Sequence, residues 1–132
     1  RLINSETDLF LAMHDTRDGQ FVGTVKAGHI DWDASIADIG IMIGNRSVWG
    51  RGFASDAIYT LCRFLFEELA FRRLTAGAMG INGAMINVFK KLGFQQEGVF
   101  RDQDRTEDGY CDHVYLGCFA SELISLETIK PN

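Results

Sequence analysis

Residues 54–69 carry apolar side chains at Ala54, Ala57, Ile58, Leu61, Leu65 and Leu69, a spacing of three and four that lays one buried stripe along an amphipathic helix. Directly before it stands Trp49-Gly50-Arg51-Gly52-Phe53, and before that Ala37-Asp38-Ile39-Gly40-Ile41-Met42-Ile43, which reads as a strand. Leu74 to Met79 supplies a second short apolar strand after the helix. This succession confines the chain to few architectures, because a crossover helix has to pack back onto the sheet its strands form. Gly40, inside the first of these strands, marks either a bulge or a place where another group approaches the backbone.

The flanking segments extend the same sheet. Leu9 to Asp15 is an apolar run closed by the turn cluster Thr16-Arg17-Asp18-Gly19, and Phe21 to Ile30 resumes as the return strand of a hairpin. Asp31 to Ser35 is a second turn-rich link. Beyond Met79, Asn82 suits the cap of a second helix whose stripe is Met85, Val88, Phe89 and Leu92, with Gly93 at the expected left-handed stop. Phe94 to Arg101, an acidic loop from Asp102 to Gly109, and Tyr110 to Phe119 read as a terminal hairpin. Three strands, a helix, a strand, a helix and two strands predict an α/β (α+β) domain spanning residues 1–132, a mixed sheet with helices on its faces.

Composition excludes several classes. A chain of 132 residues with 46% hydrophobic and 23% charged residues suits one globular core, and its single proline, Pro131, leaves no linker-like interior. The net charge of −5 argues against a nucleic-acid binder and leans weakly toward cationic partners such as amines. Apolar runs stay far short of the roughly 18 residues that span a bilayer, so no membrane partner is expected. Cys62, Cys111 and Cys118 form no Cys-x-x-Cys pair and no metal-ligand spacing with histidine, which suits reduced packing residues in a cytoplasmic protein with no metal.

The chemistry-bearing stretch is Gly50-Arg51-Gly52-Phe53-Ala54. Small residues at 50, 52 and 54 let the backbone turn tightly and aim successive N–H groups at one point on a helix N-terminus, where a phosphate binds well. The same glycines also suffice for a plain strand-to-helix turn. A phosphate-cradling NTPase loop is excluded because no Gly-Lys-Ser/Thr end follows, and a dinucleotide fingerprint is excluded because its third glycine falls at Ser55. A pyrophosphate held by backbone amides remains.

Taken together, Ile41-Met42-Ile43-Gly44, Trp49-Gly50-Arg51-Gly52-Phe53-Ala54, and Asn82 leading to Asn87-Val88-Phe89-Lys90-Lys91-Leu92-Gly93-Phe94 resemble the core of the GNAT superfamily of acyl-CoA N-acetyltransferases. The segment is most similar to its RimJ/RimL-like branch, which Glu97-Gly98, Asp108-Gly109-Tyr110 and Asp112 also suit. The resemblance implies a GNAT-like, mostly antiparallel central sheet and acetyl-CoA as co-substrate. It implies direct transfer of acetyl to a primary amine, on a small molecule such as a polyamine or amino sugar or on a peptide N-terminus. It also allows a homodimer.

Carried over by position, the backbone of Ile41, Met42 and Ile43 is expected to pair with the pantetheine arm as an added strand. Trp49, Gly50, Arg51, Gly52, Phe53, Ala54 and Ser55 are expected to form the pyrophosphate loop. Asn82, Asn87 and Phe89 are expected toward the pantetheine and thioester end, although Asn82 also reads as a helix cap and Phe89 as core. Lys90 and Lys91 reach either a CoA phosphate or solvent.

Many members of the superfamily place a tyrosine general acid where this chain has Phe89, which has no proton to give. Tyr110 and Tyr115 of the terminal hairpin either approach the site or are partly buried, hydrogen-bonded tyrosines. Asp38 is the expected general base, acting through water; His14, His29 and His113 are alternatives. Asp102, Asp104, Glu107 and Asp108 either gather a cationic acceptor or, on the plainer reading, form a solvated hairpin tip. The resemblance further implies a strand and one or two helices ahead of the first hairpin, so the N-terminal elements are expected to be missing here, by truncation or in a short form completed by another subunit. A non-catalytic acyl-CoA-binding or assembly module is the competing expectation.

Overall fold

The computed structural model describes residues 2–4, 8–14, 21–43 and 52–124, together with Arg17 and Gly19. Seven strands form one sheet in the order β1-β2-β3-β4-β5-β7-β6. They are β1 (Leu2–Asn4), β2 (Leu9–His14), β3 (Phe21–Asp31), β4 (Ile36–Ile43), β5 (Arg73–Met79), β6 (Gln95–Thr106) and β7 (Gly109–Phe119). Helix α1 (Phe53–Glu67) joins β4 to β5, and α2 (Gly83–Lys91) joins β5 to β6. Every neighbouring pair is antiparallel except β4 and β5, which run parallel because α1 carries the chain back to the starting end of the sheet.

Both crossovers step across the sheet in the same direction, first from β4 to β5 and then over β7 to β6. Right-handed connections therefore put α1 and α2 on one face. The side chains agree: Val25, Ala27, Ala37, Ile39, Leu74, Ala76, Leu116 and Cys118 all point to that face and are buried under Ile58, Leu61, Cys62 and Leu65 of α1 and Ile86 and Phe89 of α2. Each fully buried aliphatic or aromatic side chain of this kind contributes roughly 1.5–3 kcal/mol.

The helix ends explain themselves locally. Asn82 accepts a hydrogen bond from Met85 N through its side chain at 3.2 Å, capping α2. Gly93, at φ 108°, ends it, and a Cβ there would overlap the Glu122 carbonyl in the short 3-10 turn Ala120–Glu122. Only glycine fits both the dihedral and the space.

Several expectations need correction. The acidic segment from Asp102 is strand rather than loop as far as Thr106, with the turn confined to Glu107 and Asp108. An irregularity between Phe100 and Asp104 absorbs the extra residues. Gly40 is no bulge, since β3 and β4 pair without a break from Gly23↔Ile43 to Gly28↔Asp38. It is a close approach instead: the Lys26 side chain crosses it, with Cε 3.5 Å from where a Cβ would stand. Leu69 lies past the end of α1 and is exposed. Strand β1 and the 3-10 turn were not anticipated.

Candidate functional site

Strands β4 and β5 pair only over Ile36↔Arg73, Ala37↔Leu74, Asp38↔Thr75 and Ile39↔Ala76. Past that point Gly40 to Ile43 pairs with β3 alone, and Gly77 to Met79 pairs with β7 alone. The sheet thus opens into a wedge whose two inner edges present backbone N–H and C=O groups with no partner from the opposite strand. Such groups demand hydrogen bonds, so an extended ligand bearing amides fits there as an added strand. Ile41, Met42 and Ile43 supply the β4 edge.

Helix α1 begins at the same end of β4. Its cap, Gly52, has φ 81° and contributes no side-chain hydrogen bond; the first helical bond runs from Asp56 N to Gly52 O at 3.0 Å. The N–H groups of Phe53, Ala54 and Ser55 therefore have no acceptor within the helix. Together with the dipole of a 15-residue helix, they favour an anion. Among the described residues a Cβ at Gly52 would meet nothing within 4 Å. Trp49, Gly50 and Arg51 lie outside the described residues, as do the side chains of Met42, Ile43 and Phe53.

At the start of α2, Asn82 spends its side-chain oxygen on the cap, and Asn87 is exposed. Phe89 is only 1% exposed and packs edge-on against Phe94 at a centroid distance of 5.0 Å. Its ring is part of the core.

The sheet face opposite the helices carries polar chemistry beside the wedge. Asp38 Oδ1 accepts a 2.7 Å hydrogen bond from Thr75 Oγ1, on the last but one pair before the strands part. On β7, His113 Nδ1 lies 2.5 Å from Asp104 Oδ2, both side chains about three-quarters buried. The His113 ring leans over Gly77, where a Cβ would stand 2.5 Å from Nε2. Tyr115 packs against this ring with centroids 4.6 Å apart and against Phe100 at 4.7 Å. Farther along, Arg73 grips Glu97 with two 2.6 Å hydrogen bonds across Gly117. That contact holds the Glu97 carboxyl below the usual carboxylate range. Across β4 from the wedge, Phe10, Thr24, Lys26, Gly40 and Ile41 line an open pocket of about 390 Å³.

The other sequence candidates fall elsewhere. His14 packs on Phe21 at the exposed end of β2, His29 sits in the irregular stretch of β3 with φ 49°, and Tyr110 is 65% exposed near the turn between β6 and β7. Cys62 and Cys118 are buried; burial pushes the Cys118 thiol up to about 12 and that of Cys62 higher still, so both stay protonated. The pairing of Thr75 with Asp38, and of Asp104 with His113, joins residues 37 and 9 positions apart. No local motif announces either contact.

Residues 2–95 match the family model described as Acetyltransferase (GNAT) domain. The uncharacterized N-acetyltransferase p20 of Bacillus licheniformis is 34% identical over 97 residues, 74% of this chain and 53% of that protein. The SPbeta prophage-derived uncharacterized N-acetyltransferase YokL of Bacillus subtilis (strain 168) is 29% identical over 118 residues, 89% of this chain and 66% of that protein. The chain thus spans between about half and two thirds of the length of these relatives. Among solved structures, a variant of the spermidine N-acetyltransferase SpeG from Vibrio cholerae superimposes with a TM-score of 0.81 over 89% of this chain and 69% of that one, at 19% identity, a likeness of fold alone. With the family model covering the wedge, α1 and α2, the chain belongs to the acetyltransferase (GNAT) domain family.

Proposed function

We propose that this domain binds acetyl-CoA in the wedge between β4 and β5 and transfers its acetyl group to a primary amine. The observation that carries the reading is the early end of β4–β5 pairing at Ile39↔Ala76, next to the open N-terminus of α1. The unpaired β4 edge at Ile41 to Ile43 takes the amides of the pantetheine arm, and the amides of Phe53, Ala54 and Ser55 take the pyrophosphate, with Trp49, Gly50 and Arg51 completing that loop. A backbone N–H of the β4 edge faces the thioester carbonyl and stabilises its developing negative charge. Asn82 and Asn87 flank the arm from α2, while buried Phe89 supports that helix from within the core. Asp38, whose Oδ1 is held by Thr75, orients the incoming ammonium or accepts its proton through water.

Within the family the RimJ/RimL-like branch is the best fit, on the motifs around Trp49 and Leu92. The fold likeness to spermidine N-acetyltransferases makes polyamines the first acceptors to try, ahead of peptide N-termini and amino sugars. A second reading, binding without turnover, is favoured by Phe89 standing where related enzymes commonly have a tyrosine acid.

Calorimetric titration with acetyl-CoA, followed in the same sample by thiol release on adding a panel of amines, tests both readings. Binding with release is expected, and binding without release supports the second reading. Gly52→Asp sets a carboxylate against the pyrophosphate amides and should weaken acetyl-CoA binding at least tenfold. Unchanged affinity in that variant would remove the loop from the proposed site.

A further inference from the structure

We propose that His113, held by Asp104, is the general base that deprotonates the attacking amine. This proposal rests on the transferase reading above and names a residue for its acid–base step.

His113 projects from β7, paired there with Met79 of β5 and Phe100 of β6. Its Nδ1 meets Asp104 Oδ2 at 2.5 Å, a contact that a neutral imidazole makes by donating its Nδ1 proton to the carboxylate. The other ring nitrogen, Nε2, is then left with a bare lone pair. The ring is tilted so that Nε2 lies over Gly77, the first residue of β5 beyond the last β4–β5 pair. A Cβ at 77 would stand too close to Nε2, so only glycine there lets the ring lie at the edge of the wedge. Tyr115 packs against the ring at a tilt of 53° and restricts its rotation.

Three independent features therefore converge: a carboxylate that fixes the tautomer, an aromatic wall that fixes the plane, and a missing side chain at the wedge edge. The face is also the correct one, because Gly77 follows Thr75 by two residues and Thr75 binds Asp38 on the same side of the sheet. The ionisable groups in contact with the ring are Asp104 on β6 and Tyr115 on β7; Cys111 lies two residues before it on the same strand, Asp38 lies farther back opposite Thr75, and Gly77, Met79 and Phe100 bring none.

Nε2 takes one proton from the acceptor R–NH3+, and the freed nitrogen lone pair attacks the thioester carbon. The C–N bond forms while the carbonyl π electrons move to oxygen. Collapse of this adduct re-forms the carbonyl and breaks the C–S bond, and the leaving thiolate takes the second nitrogen proton, giving the amide and free CoA thiol. The imidazolium returns its proton to solvent. Asp104 stabilises that imidazolium and is a positioning residue.

The test compares His113→Gln, Asp104→Asn and Asp38→Asn in the full chain, reading kcat against pH for whichever amine releases thiol, with acetyl-CoA affinity measured by calorimetry. His113→Gln should lower kcat by about 10²-fold or more and abolish the acid limb of the profile, with acetyl-CoA affinity changed less than about twofold. Asp104→Asn should lower kcat less and shift that limb. If His113→Gln keeps the wild-type profile, or if Asp38→Asn is the variant that loses the limb, the proposal is overturned.

A readout free of catalysis guards against a variant that misfolds. The 15N shifts of the wild-type ring at high pH should report an Nδ1–H tautomer with unprotonated Nε2, and the opposite tautomer overturns the proposal. Thiol release absent from the wild-type chain with acetyl-CoA bound defeats the transferase reading itself, and the base assignment with it. Loss confined to the His113 question leaves the transferase reading intact.

Discussion

On the face carrying α1 and α2, Ala37 and Ile39 of β4, Leu74, Ala76 and Ala78 of β5 and Val114, Leu116 and Cys118 of β7 are apolar and buried, with Leu74, Ala76 and Cys118 fully so. On the opposite face the same strands carry Asp38, hydrogen-bonded by Thr75, together with His113 and Arg73, which lie over Gly77 and Gly117 and bind Asp104 and Glu97 of β6. Alternation along each strand separates the two populations, so one set of residues can stabilise the fold while the other stays free for chemistry. The wedge belongs to both faces. Its walls are backbone, and backbone polar groups left unpaired are tolerated only where water or a ligand can reach them.

Substitutions on the two faces should therefore separate stability from function, and the largest effect is expected on the helix side. Phe89→Ala removes a ring that is 1% exposed and packed edge-on against Phe94, and should cost about 3–5 kcal/mol, seen as a large drop in the denaturant midpoint. A loss below about 1 kcal/mol would mean that α2 is not anchored as described.

Asn82→Ala tests the border between the regions. Losing the cap to Met85 N should cost about 1 kcal/mol. A fall in acetyl-CoA affinity beyond what this fraying explains would show that the residue also serves the ligand, whereas affinity unchanged would make it a cap only.

The smallest effect is expected from Arg73 and Glu97 on the open face. The Arg73 guanidinium holds the folded-state pKa of Glu97 below its unfolded value, so the stabilisation is present above the ordinary carboxylate pKa and is lost as pH falls through the lowered one. Both side chains are partly solvated, at 22% and 38% exposure, which limits the contribution to about 1 kcal/mol or less. Glu97→Gln should flatten the acid side of the stability profile by that amount in thermal melts, and an identical acid slope in the variant would show that the pair contributes nothing.

Helices and interior strands were legible because their patterns are periodic. The stripe from Ala57 to Leu65 fixed α1, and Asn82 with Gly93 fixed both ends of α2. Strand β6 was partly misread because it lies at the sheet edge and its exposed residues Arg101, Asp102 and Gln103 show no alternation; only pairing with β7 makes that stretch a strand. The glycine loop was legible in outline. Gly52 does take a left-handed conformation and does open α1 without a side-chain cap.

Asp104 illustrates what a local reading cannot reach. Among acidic neighbours it looks like part of a solvated tip, and its partner at His113 appears only once the irregularity between Phe100 and Asp104 sets the register of β6 on β7. The same holds for the contact of Asp38 with Thr75, which requires the parallel crossover through α1.

The sequence by itself determined the order of the main elements, the apolar face, the amide-rich start of α1 and membership of a family whose motifs it carries, since all of these are encoded in spacing along the chain. The tertiary structure alone decided where β4 and β5 part, which histidine meets a carboxylate and which glycines leave room for a side chain from another strand. Each of those depends on register between segments distant in sequence, and register is set by packing of the whole sheet rather than by any stretch of it.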